Sequence, residues 1–435
     1  MKKTLLGAFA NRRARQNLGS SLETTVASTS DSGQPSSQNA SGTSATSADV
    51  LKFFDSVFEE TGSADDFKSY KLALIRSLNN RIEQYSNLGL DGCPELPQWQ
   101  PDVSLLDASN IAMQCAAHVY GNSKEEPVVN GYGFETVKSI GASMNGVVKA
   151  TRCIKVTSLQ PKEYFPALVI TIRGTRPGKI ADWLVNFNQD LEDTSTLIDY
   201  EHLAPNQSGL ETVSRVHAGF LNGVLALLPE LLVQINAYIA TTSNPHIMFT
   251  GHSAGGAVAA LAFAHFMSKS YLLNAQASKP RYSLLTFGSP PVLSNNITAR
   301  LKQATQIPQK SIMLAIVNEN DAVARLDRPY VESISQLYET TSPTRINSLR
   351  SAKRMWRLPP PQLYHIGDLI VLKQEQEKAI NVVRGYQVTP ELFSDTVFYD
   401  LAAHPKAVYQ KNIASLLAAD AEPLAGLEYL GGIIQ

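Results

Sequence analysis

A serine, an acid and a histidine, far apart along the chain, are of the types that together activate an oxygen nucleophile. The serine is the most clearly marked. Ser253 lies in Gly251-His252-Ser253-Ala254-Gly255-Gly256, entered through the apolar run His246-Ile247-Met248-Phe249-Thr250 and left through Ala257-Val258-Ala259-Ala260. Gly-x-Ser-x-Gly alone is a weak signal, but a strand before it and a helix after it are the context of a nucleophile elbow. Glycines on both sides let strand and helix pass close to each other. Ser253 is then expected at a helix N-terminus, where free N–H groups and the dipole favour developing negative charge. An oxyanion needs two or more donors. One is expected from the N–H of Ala254, and another from the loop Arg173-Gly174-Thr175, where Thr175 offers both its N–H and its hydroxyl.

A serine hydroxyl is a poor nucleophile without a base, and the base needs an orienting acid. Asp321 suits the acid's role because it follows the apolar run Ile312–Val317, in Val317-Asn318-Glu319-Asn320-Asp321-Ala322-Val323. Glu319 and Asp327 are its rivals. For the base, His404 and His365 both follow the acid. His404 comes after the strand expected at Leu369–Leu372 and opens a helix, so it has the better position. His365 precedes that strand and is expected at the opposite edge of the sheet, in a structural hydrogen bond. His118, His217 and His252 precede the acid and read as structural.

The elements that must hold these residues follow from periodicity. Ala167–Ile172 is a nearly continuous apolar run, suited to a strand buried on both faces. Strands are expected at Val147–Val156, His246–Thr250, Ser283–Phe287, Ile312–Val317 and Leu369–Leu372, with helices at Leu105–Tyr120, Val216–Ile239, after Ser253 and after His404. Alternating strands and helices argue for a mostly parallel α/β sheet. Ahead of it, residues 1–48 are basic and then Ser/Thr-rich, which reads as disorder. The domain is expected to span 49–435, with a helical extension over 49–100 and a polar insertion from Tyr330 to Pro361 that ends in Pro359-Pro360-Pro361.

Composition narrows the partners. A net charge of −1 gives no reason to expect nucleic acid. Cys93, Cys115 and Cys153 are widely spaced and odd in number, so neither a disulfide framework, a metal site nor a cofactor is expected. No run reads as a transmembrane segment. Leu5–Ala10 is shorter than a secretory core, so an intracellular protein is expected, cytoplasmic or peripheral to a membrane. Lys2, Lys3, Arg12, Arg13 and Arg15 could direct it to an organelle or a membrane surface.

Several short motifs carry a resemblance. Ile172-Arg173-Gly174-Thr175, Asp182-Trp183-Leu184, His217-Ala218-Gly219-Phe220, the Ser253 hexapeptide, Thr286-Phe287-Gly288-Ser289-Pro290, Asn320-Asp321-Ala322-Val323 and Ala403-His404 with Tyr409 resemble the ordered motifs of the class 3 lipases. The resemblance implies an α/β-hydrolase fold and hydrolysis of acyl esters in glycerolipids, at a membrane or droplet surface. It also implies Ser253, Asp321 and His404 as a triad, with Thr175 and Ala254 at the oxyanion hole. Three alternatives stay open: a phospholipase, another acyl-transfer enzyme on the same fold, and a lipase-like interaction protein without catalysis.

Overall fold

The runs Ala167–Ile172, His246–His252, Arg281–Phe287 and Met313–Asn318 are buried at every position, as strands covered on both faces must be. The structure, a computed structural model, describes residues 85–91, 93, 95–121, 125–142, 149–174, 191–203, 214–273, 280–304, 311–339, 355–377 and 380–428. Its strands are β1 (Tyr132–Ile140), β2 (Thr151–Ser158), β3 (Ala167–Ile172), β4 (Leu191–Asp193), β5 (Arg215–His217), β6 (His246–His252), β7 (Arg281–Phe287), β8 (Met313–Asn318), β9 (Asp368–Glu377) and β10 (Ile380–Val388). The main sheet has 8 strands in the order β1-β2-β3-β6-β7-β8-β9-β10, and β4 pairs with β5 apart from it. From β3 to β9 all neighbours are parallel, while β1, β2 and β10 run antiparallel at the two edges.

Alternation along the strands divides the core between two faces. Ile247 and Phe249 of β6, with Leu168 and Ile170 of β3, join the cluster that holds α2 (Ala218–Thr241) and α3 (Ala254–Ser268). Met248 and Val169 join the opposite cluster, with Ile111 and Met113 of α1 (Val103–His118) and Tyr409 and Ile413 of α5 (Lys406–Glu428). Helices on both faces of a largely parallel sheet, with a strand–serine–helix turn after β6, make this an α/β-hydrolase fold. Among the described residues α2 is long and apolar enough by composition to cross a membrane. Here it buries Val224, Leu227, Leu231 and Ile235 in the core at helical spacing.

Several sequence expectations need correction. The described residues of 85–100, within the expected helical extension, contain no helix. Pro97–Trp99 run along β10, with Trp99 N–H donating to Gly385 O at 2.8 Å and Gln387 N–H donating to Pro97 O at 3.0 Å, whereas Gly89 bonds Val397 from within a turn. Pro94, Pro97 and Pro101 deny a helix its donors there. The rest of that extension (49–84) and the segment 1–48 lie outside the described residues. The insertion opens as a helix, α4 (Arg328–Glu339), rather than as a loop. Its returning end is tied down by Trp356, whose indole N–H donates to Ser333 Oγ at 3.0 Å; residues 340–354 are not described.

The last strand is longer than Leu369–Leu372 and is followed by β10, which no sequence signal had marked. Charged residues in the outer half of β9 hide its periodicity, yet they are held by pairs across the hairpin. Arg384 of β10 lies 3.2 Å from Glu375 and also contacts Glu377.

His365 is not at the opposite edge of the sheet. The chain around Tyr364 returns beside Val292 and Leu293, with Tyr364 N–H donating to Leu293 O at 2.6 Å. This sets His365 Nε2–H against Ser289 O at 2.9 Å, with its ring edge-on to Phe393. Burial holds this imidazole down at about 4, against an ordinary 6.5. The unfolded chain takes up the proton near 6.5 and the folded chain only near 4, so stability is lost as pH falls through that window. At about 1.4 kcal/mol per pH unit, the loss attributable to His365 is on the order of 3 kcal/mol. Denaturant unfolding of wild type and His365→Gln at pH 7 and pH 4.5 checks this: the variant should have the smaller difference between the two. An equal difference would assign the slope to other buried groups.

Candidate active site

The parallel strands bring the ends of β3, β6, β7 and β8 to one edge of the sheet. There β6 turns into α3 through Ser253, which has φ 61 and ψ −138. For a non-glycine residue this is a strained conformation, kept only where its surroundings over-determine it. Two features hold it. Ser253 N–H donates to Phe287 O at 2.9 Å. The first turn of α3 also presses on the end of β3, so that a Cβ on Gly255 would stand 2.1 Å from Ile172 O and 2.6 Å from Arg173 C. Ala254 is the first residue of α3, so its N–H has no partner within the helix and faces the same edge.

Asp321 and His404 meet from loops 83 residues apart: His404 Nδ1–H donates to Asp321 Oδ2 at 2.9 Å. The acid is fully buried and accepts two further bonds, from Val323 N–H at 2.9 Å and from Tyr409 O–H at 2.6 Å. Space for this carboxylate exists because residue 288 is glycine. A Cβ there would lie 2.8 Å from both Asp321 Oδ2 and the Tyr409 hydroxyl, and φ is +55. Asn318 holds the two loops in register, its side-chain amide donating to Ala403 O at 2.8 Å. Asp321 and Asp400 add a parallel β-bridge. Among the described residues no hydrogen bond joins Ser253 Oγ to His404. The imidazole stacks on His252 instead, with centroids 4.6 Å apart.

A further network, absent from the sequence reading, runs beneath these groups. Tyr120 accepts from Gly174 N–H at 3.1 Å and faces His252 Nδ1 at 3.1 Å. On the other side of the ring, His252 Nε2 lies 2.8 Å from His404 O. A carbonyl only accepts, so Nε2 carries the hydrogen; Nδ1 is then the acceptor and Tyr120 the donor. Burial, followed by the facing His404, pushes the His252 pKa well below its ordinary value, which keeps it in this neutral form. Tyr120 and His252 are thus positioning residues that tie the loop after β3 to the backbone of His404. Tyr120 lies just beyond α1 and gave no sequence signal beyond that of a core aromatic.

The remaining candidates sort by geometry. Thr175 lies outside the described residues. Its neighbour Gly174 packs on the elbow, where an added Cβ would be 3.0 Å from Ser253 Cβ. Glu319 turns away from the histidine and accepts from Leu90 N–H at 2.7 Å. Asp327 accepts from the N–H groups of Tyr330 and Gln362 at 3.0 and 2.7 Å. His217 caps α2 through Gly219 N–H, and His118 contacts Arg152. A cavity beside the acid loop is lined by Arg325, Asp327, His365 and Phe393, but by none of Ser253, Asp321 and His404. Among the described residues no three His, Cys, Asp or Glu side chains are grouped to hold a metal ion.

The lipase (class 3) family model matches residues 169–330, a stretch that includes Ser253 and Asp321 and ends before His404. Protein EDS1 of Arabidopsis thaliana is 36% identical over 86 residues, which are 19% of this chain and 14% of that protein. The matched stretch is thus a small part of that relative's length. Among solved structures, the lipase of Rhizopus microsporus var. chinensis is 18% identical with a TM-score of 0.43, covering 72% of this chain and 90% of its own. The Rhizomucor miehei lipase–propeptide complex is 16% identical with a TM-score of 0.42, covering 70% and 80%.

Substitutions at three positions test this architecture. Gly255→Ala must push backbone apart and should cost more than about 3 kcal/mol, or abolish folding; thermal unfolding reads the loss. Tyr120→Phe should leave the fold intact and lower kcat on an ester by about tenfold, the effect of one buried hydrogen bond, with KM unchanged. His252→Gln, whose amide can still donate to His404 O, should retain more kcat than His252→Ala. If Gln and Ala are equal, the network has no positioning role.

Proposed function

Taking a chain of the α/β-hydrolase fold whose residues 169–330 are class 3 lipase-like, we propose that it hydrolyses acyl esters of glycerolipids with Ser253 as nucleophile. The observation that carries this reading is the convergence of a strained serine elbow with a buried, triply bonded Asp321 and its partner His404. In the proposed cycle His404 Nε2 removes the Ser253 hydroxyl proton as Oγ attacks the ester carbonyl. Asp321 fixes the Nδ1–H tautomer and stabilises the imidazolium. The N–H of Ala254 and the donors of Thr175 receive the oxyanion. Collapse expels the glycerolipid alcohol, which takes the proton from His404, and leaves an acyl group on Ser253. Water, deprotonated by the same histidine, then releases the fatty acid. A serine and histidine not yet hydrogen-bonded are compatible with this cycle, since such contacts often tighten only around substrate. The substrate side is proposed to be a membrane or droplet surface, reached from inside the cell.

Ser253→Ala should fold and lose about 10⁴- to 10⁶-fold in ester turnover, and His404→Ala should fall to a similar level because triad members act as a unit. A fluorophosphonate probe should label wild type and not the Ser253→Ala protein. Labelling that persists in the variant would falsify the assignment of the nucleophile. His365→Ala should stay active; a folded but inactive His365 variant beside an active His404 variant would exchange the two roles.

A further inference from the structure

Positive charge gathers around the serine in placements that do not help the fold. Lys406 is the first residue of α5, where a cation opposes the helix dipole. Its ammonium lies 5.4 Å from the centroid of the Tyr120 ring, and the hydroxyl of that ring holds Gly174 N–H, beside Ser253. On the other side of the loop after β3, Thr151 pairs with Ile172, and Arg173 N–H donates to Ala150 O at 2.9 Å. This register sets Lys149 next to Arg173, at the end of β3 that leads into Gly174. Burial, and then the Arg173 guanidinium, lower the pKa of the Lys149 ammonium, the mark of a cation partly desolvated beside a like charge. Among the described residues neither Lys149 nor Lys406 makes an ion pair. Of the nearby carboxylates, Asp321 is buried and engaged by His404 and Tyr409, and Asp400 accepts from Ala402 N–H at 2.7 Å.

Charges placed against local stability are a recurring sign of a binding site. We propose that Lys149 and Lys406 form a cationic rim that receives the phosphate of an anionic glycerophospholipid while its acyl ester is presented to Ser253. This rests on the ester-hydrolase reading above and selects a substrate class within it. In such a lipid the phosphate and the acyl ester are a few covalent bonds apart on one glycerol, so a single molecule can meet both the rim and the serine. A triacylglycerol brings no charge to the rim, and a phosphocholine head group brings a cation of its own that the same lysines repel.

The test uses monomeric short-chain lipids, which remove the attraction of a charged surface. Hydrolysis of dihexanoyl phosphatidylglycerol, dihexanoyl phosphatidylcholine and p-nitrophenyl butyrate is measured for wild type, Lys406→Glu and Lys149→Gln. Lys406→Glu places an acid at a helix N-terminus, which favours folding. Wild type should prefer the glycerol head group by about tenfold in kcat/KM, the size of one effective charge contact. Each variant should lose several-fold of that preference through KM, read as the ratio of the two phospholipids so that any common effect on turnover, seen with the p-nitrophenyl ester, divides out. Equal rates on the two phospholipids in wild type, or a preference kept in both variants, overturns the rim. Competition by inorganic phosphate at constant ionic strength, as strong as that by the lipid, overturns the head-group assignment. If wild type cleaves no ester at all, the hydrolase reading fails instead. Binding of the two lipids to Ser253→Ala then decides the rim alone: tighter binding of phosphatidylglycerol supports it, and equal binding overturns it.

Discussion

The sheet edge that carries Ser253 depends on how closely the first turn of α3 approaches the end of β3. At Gly255 the helix backbone lies where any side chain would strike Ile172 O. That contact fixes the angle at which the chain leaves β6 and forces Ser253 into its positive φ. It also brings the loop after β3 against the serine, so the elbow and the expected oxyanion donors share one packing constraint. Strain at the serine is thus held by burial of α3, whose residues are inside along its whole length. Loosening that helix would release the elbow with it.

The acid and the histidine depend on a different kind of contact. Neither is set by its own secondary structure: each sits in a loop, and the loops hold one another. Asn318 bonds Ala403, Tyr409 bonds Asp321, and Asp321 bridges Asp400. The turn at Gly89 and Leu90, ahead of α1, joins the same assembly, since Gly89 N–H donates to Val397 O at 3.1 Å and Leu90 N–H to Glu319. Residues distant in sequence therefore share one polar network. In a buried, low-dielectric setting such a network is rigid when satisfied and costly when broken.

Charge around the serine divides by depth. The buried layer is neutral or internally balanced: His252 is kept uncharged and Asp321 has three donors. Lys406 and Lys149 lie outside this network and make no ion pair among the described residues. A neutral, preorganised interior suits a reaction that creates transient charge, and the rim proposed for the two lysines would bear on which molecules are drawn in.

Much of this was legible in the chain alone. Ala167–Ile172 coincides with β3 because a strand buried on both faces leaves an unbroken apolar run. Gly-x-Ser-x-Gly between such a run and an alanine-rich segment marked the elbow because its geometry is local: a few residues contain both the cause and the effect. What lay beyond local reach was misread or missed. β10 and the outer half of β9 stabilise each other only as a pair, and Pro97–Trp99 are extended because β10 offers them an edge. Tyr120 and His252 look like core residues in sequence, since what sets them apart is a hydrogen-bond chain crossing 132 and 152 residues. Which nitrogen of His252 bears the proton, and which loop meets which, were decided by tertiary contacts, because residue type carries no information about a partner that only folding supplies.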